Sequence, residues 1–410
     1  MHRRMVELAL LCLCAGQAGW AQEFKILDRT VQIHGFASQG FVRTDHNNWL
    51  TMHSSHGSGA FTDFGANISM QLTDKLRIGA QVYDRNLGNL GEWHPSVDWA
   101  LADYRFKPWL GIRAGKVKTV LGLYNDTEDL DFLRTFVLLP QSVYPTDLRD
   151  TTIAHVGGDV YGNISFKRRI GGTISYTAYA GHHNDTIYGG YAYITSAYGV
   201  NRPRYSGLQY GVDLRWNTPL RGLLIGASRR NEDNTGKGTL TNPLVGEGTL
   251  PYSVVSKPVW TNQFYGQYAW AKLQIDAEYR RYLYHLVANG GLLATTVNTH
   301  AWYVSAAYRV SKRVAVGSYY SRYSITRIST GPIASLFPDL TDTDFPANHV
   351  YDKVIAGRVD LNRFWNVKIE GHFMAGYGAS TFPDGFYPQV NPAGFQSNTN
   401  ALVLKTSVNF

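Results

Sequence analysis

Along most of this chain apolar and polar residues take turns with a period of two. Between Lys272 and Tyr282, Leu273, Ile275, Ala277 and Tyr279 hold one set of alternate positions and Lys272, Gln274, Asp276, Glu278 and Arg280 the other. Val367, Ile369 and Phe373 alternate with Lys368, Glu370 and His372, and Leu208, Tyr210, Val212, Leu214 and Trp216 with Gln209, Asp213 and Arg215. A helix would spread these charges around its circumference, whereas a strand puts successive side chains on opposite faces. The pattern predicts about sixteen strands, near 30–43, 60–73, 76–86, 96–106, 110–119, 152–166, 172–182, 206–217, 222–231, 257–270, 272–284, 297–310, 313–325, 349–361, 364–377 and 398–410. The fourth is ambiguous in phase, because Val97, Trp99 and Leu101 compete with Ala100, Tyr104 and Phe106 for the outer face.

The connections alternate in length. Short turns fall at 73–75, 107–109, 167–171, 218–221, Ala271, 311–312 and 362–363. Longer loops fall near 44–59, 87–95, 120–151, 183–205, 232–256, 285–296, 326–348 and 378–397. An even number of strands joined in this way predicts an all-β, antiparallel transmembrane barrel, with the short turns and both termini on the periplasmic side. A soluble β-sandwich also alternates, but the aromatic strand ends and the charge-dense polar face favour a barrel with a wet lumen. No linker or composition shift divides 22–410, which reads as one domain.

One stretch breaks the rhythm. Val120 to Thr151, the third long loop, runs for roughly thirty residues where a connection usually takes about 4–6. It carries Asp126, Glu128, Asp129, Asp131 and Asp147, and an apolar patch from Phe136 to Leu139. It is expected to fold into the lumen and narrow it. Strand alternation puts Arg77, Arg85, Arg113, Arg215, Lys272, Arg280, Lys368 and Lys405 on the polar face, with Lys116, Lys118 and Arg105 as additions. Acids facing bases in a narrow wet channel set up a transverse field that sorts solutes by charge. The expected constriction is Asp126, Glu128, Asp129 and Asp131 against Arg77, Arg85 and Arg113, whose strands lie nearest the loop in sequence. The plainer alternative is a set of solvated lumen charges with no common focus.

The ends and the composition agree with export. Residues 1–21 carry basic His2, Arg3 and Arg4, a short apolar core interrupted by Glu7, and small residues before Gln22, the pattern of a cleaved secretory signal. Both cysteines, Cys12 and Cys14, lie in that segment, so disulfide and thiol chemistry are not expected of the exported chain. Beyond it no run approaches eighteen apolar residues, as a membrane-crossing helix would need. Aromatics at 13% with 27 Tyr suit interfacial girdles. The net charge is +8, and taking away Arg3, Arg4 and Glu7 leaves +7. The bases are spread along strands rather than clustered, which together with export argues against nucleic acid. A bias toward anions, or binding to acidic lipopolysaccharide, follows instead.

The last ten residues place Leu402, Leu404, Val408 and Phe410 on one face and end in an aromatic. This resembles the signal by which bacterial porins are handed to the barrel-assembly machinery. The runs 59–67, 71–81, 97–106, 111–118, 122–125 and 139–144 resemble Gram-negative outer-membrane porins over roughly residues 30–165. The resemblance implies a sixteen-stranded, water-filled barrel of the outer membrane, commonly a homotrimer, with its third loop folded inward. It implies passive diffusion of small hydrophilic solutes and ions. A solute-selective channel for phosphate or other anions is the alternative, and a barrel enzyme a weaker one.

Other chemistry is thinly supported. The loop carboxylates could serve glycoside hydrolysis, but inside a barrel a constriction fits them better. His53-Ser-Ser-His56 and His182-His183-Asn-Asp185 fall in expected loops without the spacing of a metal site. His155 and Ser142 suggest a triad, yet no Gly-x-Ser-x-Gly accompanies them. No catalytic activity, cofactor or metal is expected.

Overall fold

The computed structural model describes residues 22–26, 29–166, 171–241, 248–337, 339–378 and 385–410. The expected signal segment with Cys12 and Cys14, and most of the turn at 167–171, lie outside the described residues.

Sixteen strands make one antiparallel sheet: β1 (Arg29–Thr44), β2 (Ser58–Gln71), β3 (Leu76–Leu87), β4 (Ser96–Lys107), β5 (Leu110–Lys118), β6 (Ala154–Ser165), β7 (Thr173–Asn184), β8 (Val200–Asn217), β9 (Leu223–Thr241), β10 (Thr249–Trp270), β11 (Leu273–Ala288), β12 (Leu293–Arg309), β13 (Val314–Thr330), β14 (His349–Asp360), β15 (Trp365–Ala375) and β16 (Asn398–Asn409). Each pairs with the next, and β16 pairs with β1, Leu404 opposite Phe41, so the sheet closes into a barrel with no free edge. A short strand, Gln22–Ile26, folds back along Arg29–Ile33 beyond the end of β16.

Alternation sorts the two faces. Ile68, Val82, Val160, Leu214, Phe264, Ile275, Val304, Ile355, Ile369 and Leu404 are exposed outside, whereas Gln81, Asp159, Asp213, Glu278 and Lys368 are buried inside. Against water the outer face would be a very large apolar patch; against lipid it is the favourable surface. Exposed Tyr104, Phe106, Trp109, Trp270, Tyr308, Trp365 and Phe410 ring the short-turn end as an aromatic girdle. Phe410 exchanges backbone hydrogen bonds with Gly35 at 2.9 and 3.0 Å. Its ring covers Gly35 so closely that a Cβ there would meet it at 2.4 Å.

A β-bulge resolves the phase of β4. Gln81 pairs with Trp99 but Val82 with Val97, so Asp98 is an extra residue. Val97 above it and Tyr104 and Phe106 below it are all exposed. The wall is also uneven in height: β8, β9 and β10 have 18, 19 and 22 residues, while β4, β5 and β6 have 12, 9 and 12. The expected loops at 232–256 and 285–296 are therefore mostly strand. Polar residues such as Thr235, Lys237 and Thr296 enter the outer face there, although exposed Val255 keeps an apolar position, so the apolar half of the alternation thins before the strands end. The expected loop at 183–205 holds a short helix, Gly190–Ser196.

The lumen is not polar throughout. Val259, Tyr282, Tyr284, Val297, Tyr303 and Ile325 on the tall wall pack with Leu139, Val143 and Tyr144 of the third loop. Val137 and Leu138 pack with Trp49, Met52, Phe61, Met374, Phe386 and Val403.

Candidate functional site

The third loop leaves β5 and returns to β6 through a tied neck. Asn125 Nδ2 donates to the carbonyls of Thr119 and Thr152 at 2.8 and 2.9 Å, and Gln209 Nε2 donates to Thr119 Oγ1 at 2.9 Å. Gly122 follows at φ +65°, where a Cβ would stand 1.9 Å from Gln263 Nε2. Its N–H donates to Ser228 Oγ and its carbonyl accepts from Arg215. Glu278 then gathers four donors: Leu123 N–H, Tyr144 Oη, Tyr303 Oη and Gln263 Nε2, at 2.6–3.1 Å.

From there the loop crosses to the far wall. Asp131 lies 3.1 Å from Lys405 and 3.8 Å from Lys368, and Ser407 donates to it at 2.9 Å. Lys368 Nζ also donates to the carbonyls of Asp131 and Phe136, and Arg358 to those of Phe132 and Arg134. The N–H groups of Val137 and Leu138 both donate to Glu370, at 2.5 and 3.2 Å. Behind Glu370 stands His372, 3.2 Å away through Nε2, with Asp352 at 2.8 Å from its Nδ1. On the way back Arg280 donates to Val143 O, Tyr387 to Asp147, and Arg85 to Thr146 O and Asp150.

Of the residues expected at a constriction, the structure brings Arg85 to the loop and leaves two others away from it. Asp126 is 3.9 Å from Arg215, and Asp129 accepts from Lys118 and Gln81 at 2.6 and 2.7 Å. Arg77 is exposed, the second residue of β3, opposite Gln71 and Asp103 at the short-turn end. Arg113 is paired with Asp159 at 2.9 Å under Tyr161, also toward that end. Among the additions, Lys116 stands opposite Ala100 and exposed Val156, on the outer wall. Lys272 is exposed beside a turn.

Sequence reasoning missed Arg134, Arg149 and Asp98. Arg149 pairs with Asp98 at 2.9 Å and lies 3.9 Å over the Tyr83 ring. Its partner was hidden by the bulge, and both arginines lie within the loop that was read for its acids. Residue count from the nearest short turn would have found the misplaced pair: Arg77 and Arg113 follow turns closely, whereas Arg85 lies near the other end of β3.

Between loop and wall a cavity of about 40 Å³ remains, room for roughly three waters. Glu128, Arg134, Arg149, Asp63, Tyr83 and Lys405 are among its lining. Burial pushes the Glu128 carboxyl up to about 7, against the pull of Arg149, Arg85 and Arg134. Burial also raises Asp147, to about 6, although Tyr387 donates to it. Asp131 differs: burial opposes its charge, but Lys368, Lys405 and Arg134 hold it well below the usual carboxylate range. Glu128 forms no ion pair among the described residues, and its Oε1 is buried without a hydrogen bond. Arg134 donates to the carbonyls of Thr127 and Glu128 rather than to a carboxylate.

The remaining candidates are not assembled into reactive sites. His155 Nδ1 meets Thr119 Oγ1 at 2.9 Å, whereas Ser142 lies beside Trp49, Ser321 and Asp352. His183 is held between Asp185 and Asn234.

No protein-family model matches this chain, and no curated protein matches it. Solved structures do. OmpT of Vibrio cholerae, an outer membrane protein, is similar over 95% of this chain and 100% of its own, with a TM-score of 0.56 and 12% identity. The fold is that of the outer-membrane porins. Salmonella typhi OmpF matches over 95% of this chain and 100% of its own (TM-score 0.54, 12% identity). The anion-selective porin from Comamonas acidovorans matches over 93% and 100% (TM-score 0.51, 10% identity). With so few identical residues the likeness is one of architecture, and the porin fold here encloses a loop bonded to the lumen wall on several sides.

Proposed function

We propose that this protein is a channel of the bacterial outer membrane that passes small hydrophilic solutes and ions by diffusion. The observation that carries the reading is the loop itself, held across a closed barrel with a small cavity lined by charged side chains beside it. Asp126, Glu128, Asp129, Asp131 and Arg85, joined by Arg134 and Arg149, form the constriction in this reading. Arg77 and Arg113 line a vestibule. Most of these charges answer one another, so selectivity rests on Glu128 and Arg134. With Glu128 neutral below about 7, Asp63, Asp129 and Asp131 balance Arg134, Arg149 and Lys405 around the cavity, and with Glu128 charged the balance is negative by one. A weak anion preference therefore rests on Arg134, which makes no ion pair with a carboxylate among the described residues.

Vibrio cholerae OmpT is known in a trimer form, and by that likeness a homotrimer is the expected assembly, surrounded by outer-membrane lipid and lipopolysaccharide. Phe410 at the closing strand fits recognition by the barrel-assembly machinery. Planar-bilayer recording tests the channel. Small, discrete conductance steps are expected, with swelling of liposomes in small sugars; a silent bilayer and liposomes that do not swell would overturn the reading.

A further inference from the structure

The lipid-facing side of the tall wall carries, toward the long loops, a row of cations. Arg229 on β9 pairs across the sheet with Asn262, Asn262 with Arg281 on β11, and Arg281 with His300 on β12. Arg322 on β13 and Lys353 on β14 continue the row. These side chains share the face of exposed Ile225, Tyr279, Val316 and Ile355 and therefore point away from the lumen. Asn262 and His300 each stand eight residues from the girdle aromatics Trp270 and Tyr308. At about 3.3 Å per residue and a tilt of about 45° that is roughly 20 Å, near the far margin of an apolar band about 25 Å tall.

The cations are braced by neutral groups. Arg229 donates to Asn231 and Asn262 at 3.2 and 2.9 Å, and Arg281 to Asn298 at 3.1 Å. Both guanidinium groups flank the Trp260 ring, at 5.2 and 5.4 Å, and Arg322 lies 4.1 Å over Tyr351. Among the described residues none of Arg229, Arg281, Arg322 and Lys353 pairs with a carboxylate. Asp233 is taken by Lys257 at 2.5 Å, and Asp344 reaches Arg322 only through its field. A cation on the lipid face is costly at mid-membrane and nearly free at the interface, so its place there is tolerable. Its lack of an acid partner leaves the charge for something else. Among the described residues the low wall has no such row: Lys116 stands there among exposed Val97, Ile112, Val156 and Val160.

We propose that this row binds the phosphorylated head group of an outer-leaflet glycolipid, an inference that rests on the outer-membrane reading above. Arg229, Arg281 and Arg322 stand on every second strand, about 10 Å apart at each step. That spacing suits a head group carrying two phosphates on a sugar core better than one with a single phosphate, and Asn262, Asn298 and Trp260 offer partners for sugar.

The test is native mass spectrometry of the purified barrel in micelles, titrated with bis-phosphorylated lipid A, its dephosphorylated form and phosphatidylglycerol. The wild type is expected to bind bis-phosphorylated lipid A most tightly of the three. R229Q/R281Q/R322Q should lose on the order of a hundredfold in that binding, with little change toward the dephosphorylated form. R309Q/K312Q at the short turns should lose none. Equal wild-type affinity for the phosphorylated and dephosphorylated forms overturns the proposal, and needs no variant to fold. So does an equal loss in the short-turn control, or a triple variant that changes oligomeric state while keeping its lipid affinity, which would make the row a contact between copies. The measurement is made without conductance, so a silent bilayer refutes the channel reading and leaves this result standing.

Discussion

The two sides of the third loop are built from the same residue types and are put to different use. At the far wall Asp131 is answered by Lys368, Lys405 and Ser407, and Glu370 takes two loop amides with His372 and Asp352 behind it. Every charge named there has a partner. At the near wall Glu128 stands three residues before Asp131, in the same loop, without an ion pair, and Arg134 leans on carbonyl oxygens. Density of charge is thus no guide to available charge. The far side anchors, and on the proposed channel reading the near side is left to act on a passing solute.

The largest effect should come from breaking the anchor. K368M keeps the length of the side chain but leaves buried Asp131 with one cation fewer, and breaking a buried pair from one side typically costs about 3–5 kcal/mol. Loop seating should weaken and single-channel conductance should rise at least about twofold. D131N/K368M should recover much of the loss, because the stranded charge is gone too. Unchanged conductance in K368M would mean that the loop is held elsewhere and the contrast between the sides is false.

On the near side a change of charge should alter selectivity and leave conductance almost as it was. R134Q removes a cation that makes no direct ion pair with a carboxylate among the described residues, so the reversal potential in a salt gradient should move toward cations. The shift should grow at low salt, where the Debye length increases from about 10 Å at 0.1 M to about 30 Å at 0.01 M. A conductance rise like that of K368M would place Arg134 among the anchors instead.

Smaller still is a pH effect. Glu128 has its carboxyl raised from 4.5 to about 7, mainly by burial. A raised acid is neutral below that value and charged above it, so between pH 6 and 8 the wild type should shift toward cations. By the same sign, the part of the folding stability that depends on Glu128 is fullest below about 4.5 and falls as pH rises through 7. E128Q should give a flat pH profile at the acid-side value; a profile as steep as the wild type's would assign the titration to another group.

The barrel was legible in the alternation, because in a closed sheet each inward residue is followed by an outward one. Glu278 and Glu370 could be placed on the polar face from the same pattern, though nothing in it says that they would receive the loop. Asp98 was not legible, since one inserted residue reverses the phase and mimics an ambiguous strand. Packing of Val297 and Ile325 under Leu139 and Val143 was invisible for a related reason. Tall strands carry apolar residues on their inner face near the loops, which departs from the expected pattern just where they fill the lumen.

Alternation tells which side of the wall a residue faces and says nothing about its height. That is why Arg77 and Arg113 were grouped with Arg85. Arg77 follows the turn at 73–75 and is exposed at the short-turn end, and Arg113 is occupied by Asp159. Five residues separate Arg113 from Lys118, which meets Asp129, so at about 3.3 Å per residue and a tilt of about 45° Arg113 lies on the order of 12 Å below that contact. This is about one Debye length at 0.1 M salt in a water-filled vestibule. R77Q and R113Q together should therefore change the reversal potential far less than R134Q alone, although they remove twice the charge. At 0.01 M salt the difference should narrow, because screening no longer separates the two heights. If the double variant matched or exceeded R134Q at 0.1 M, the selecting field would extend through the vestibule and the near side of the loop would lose its special place.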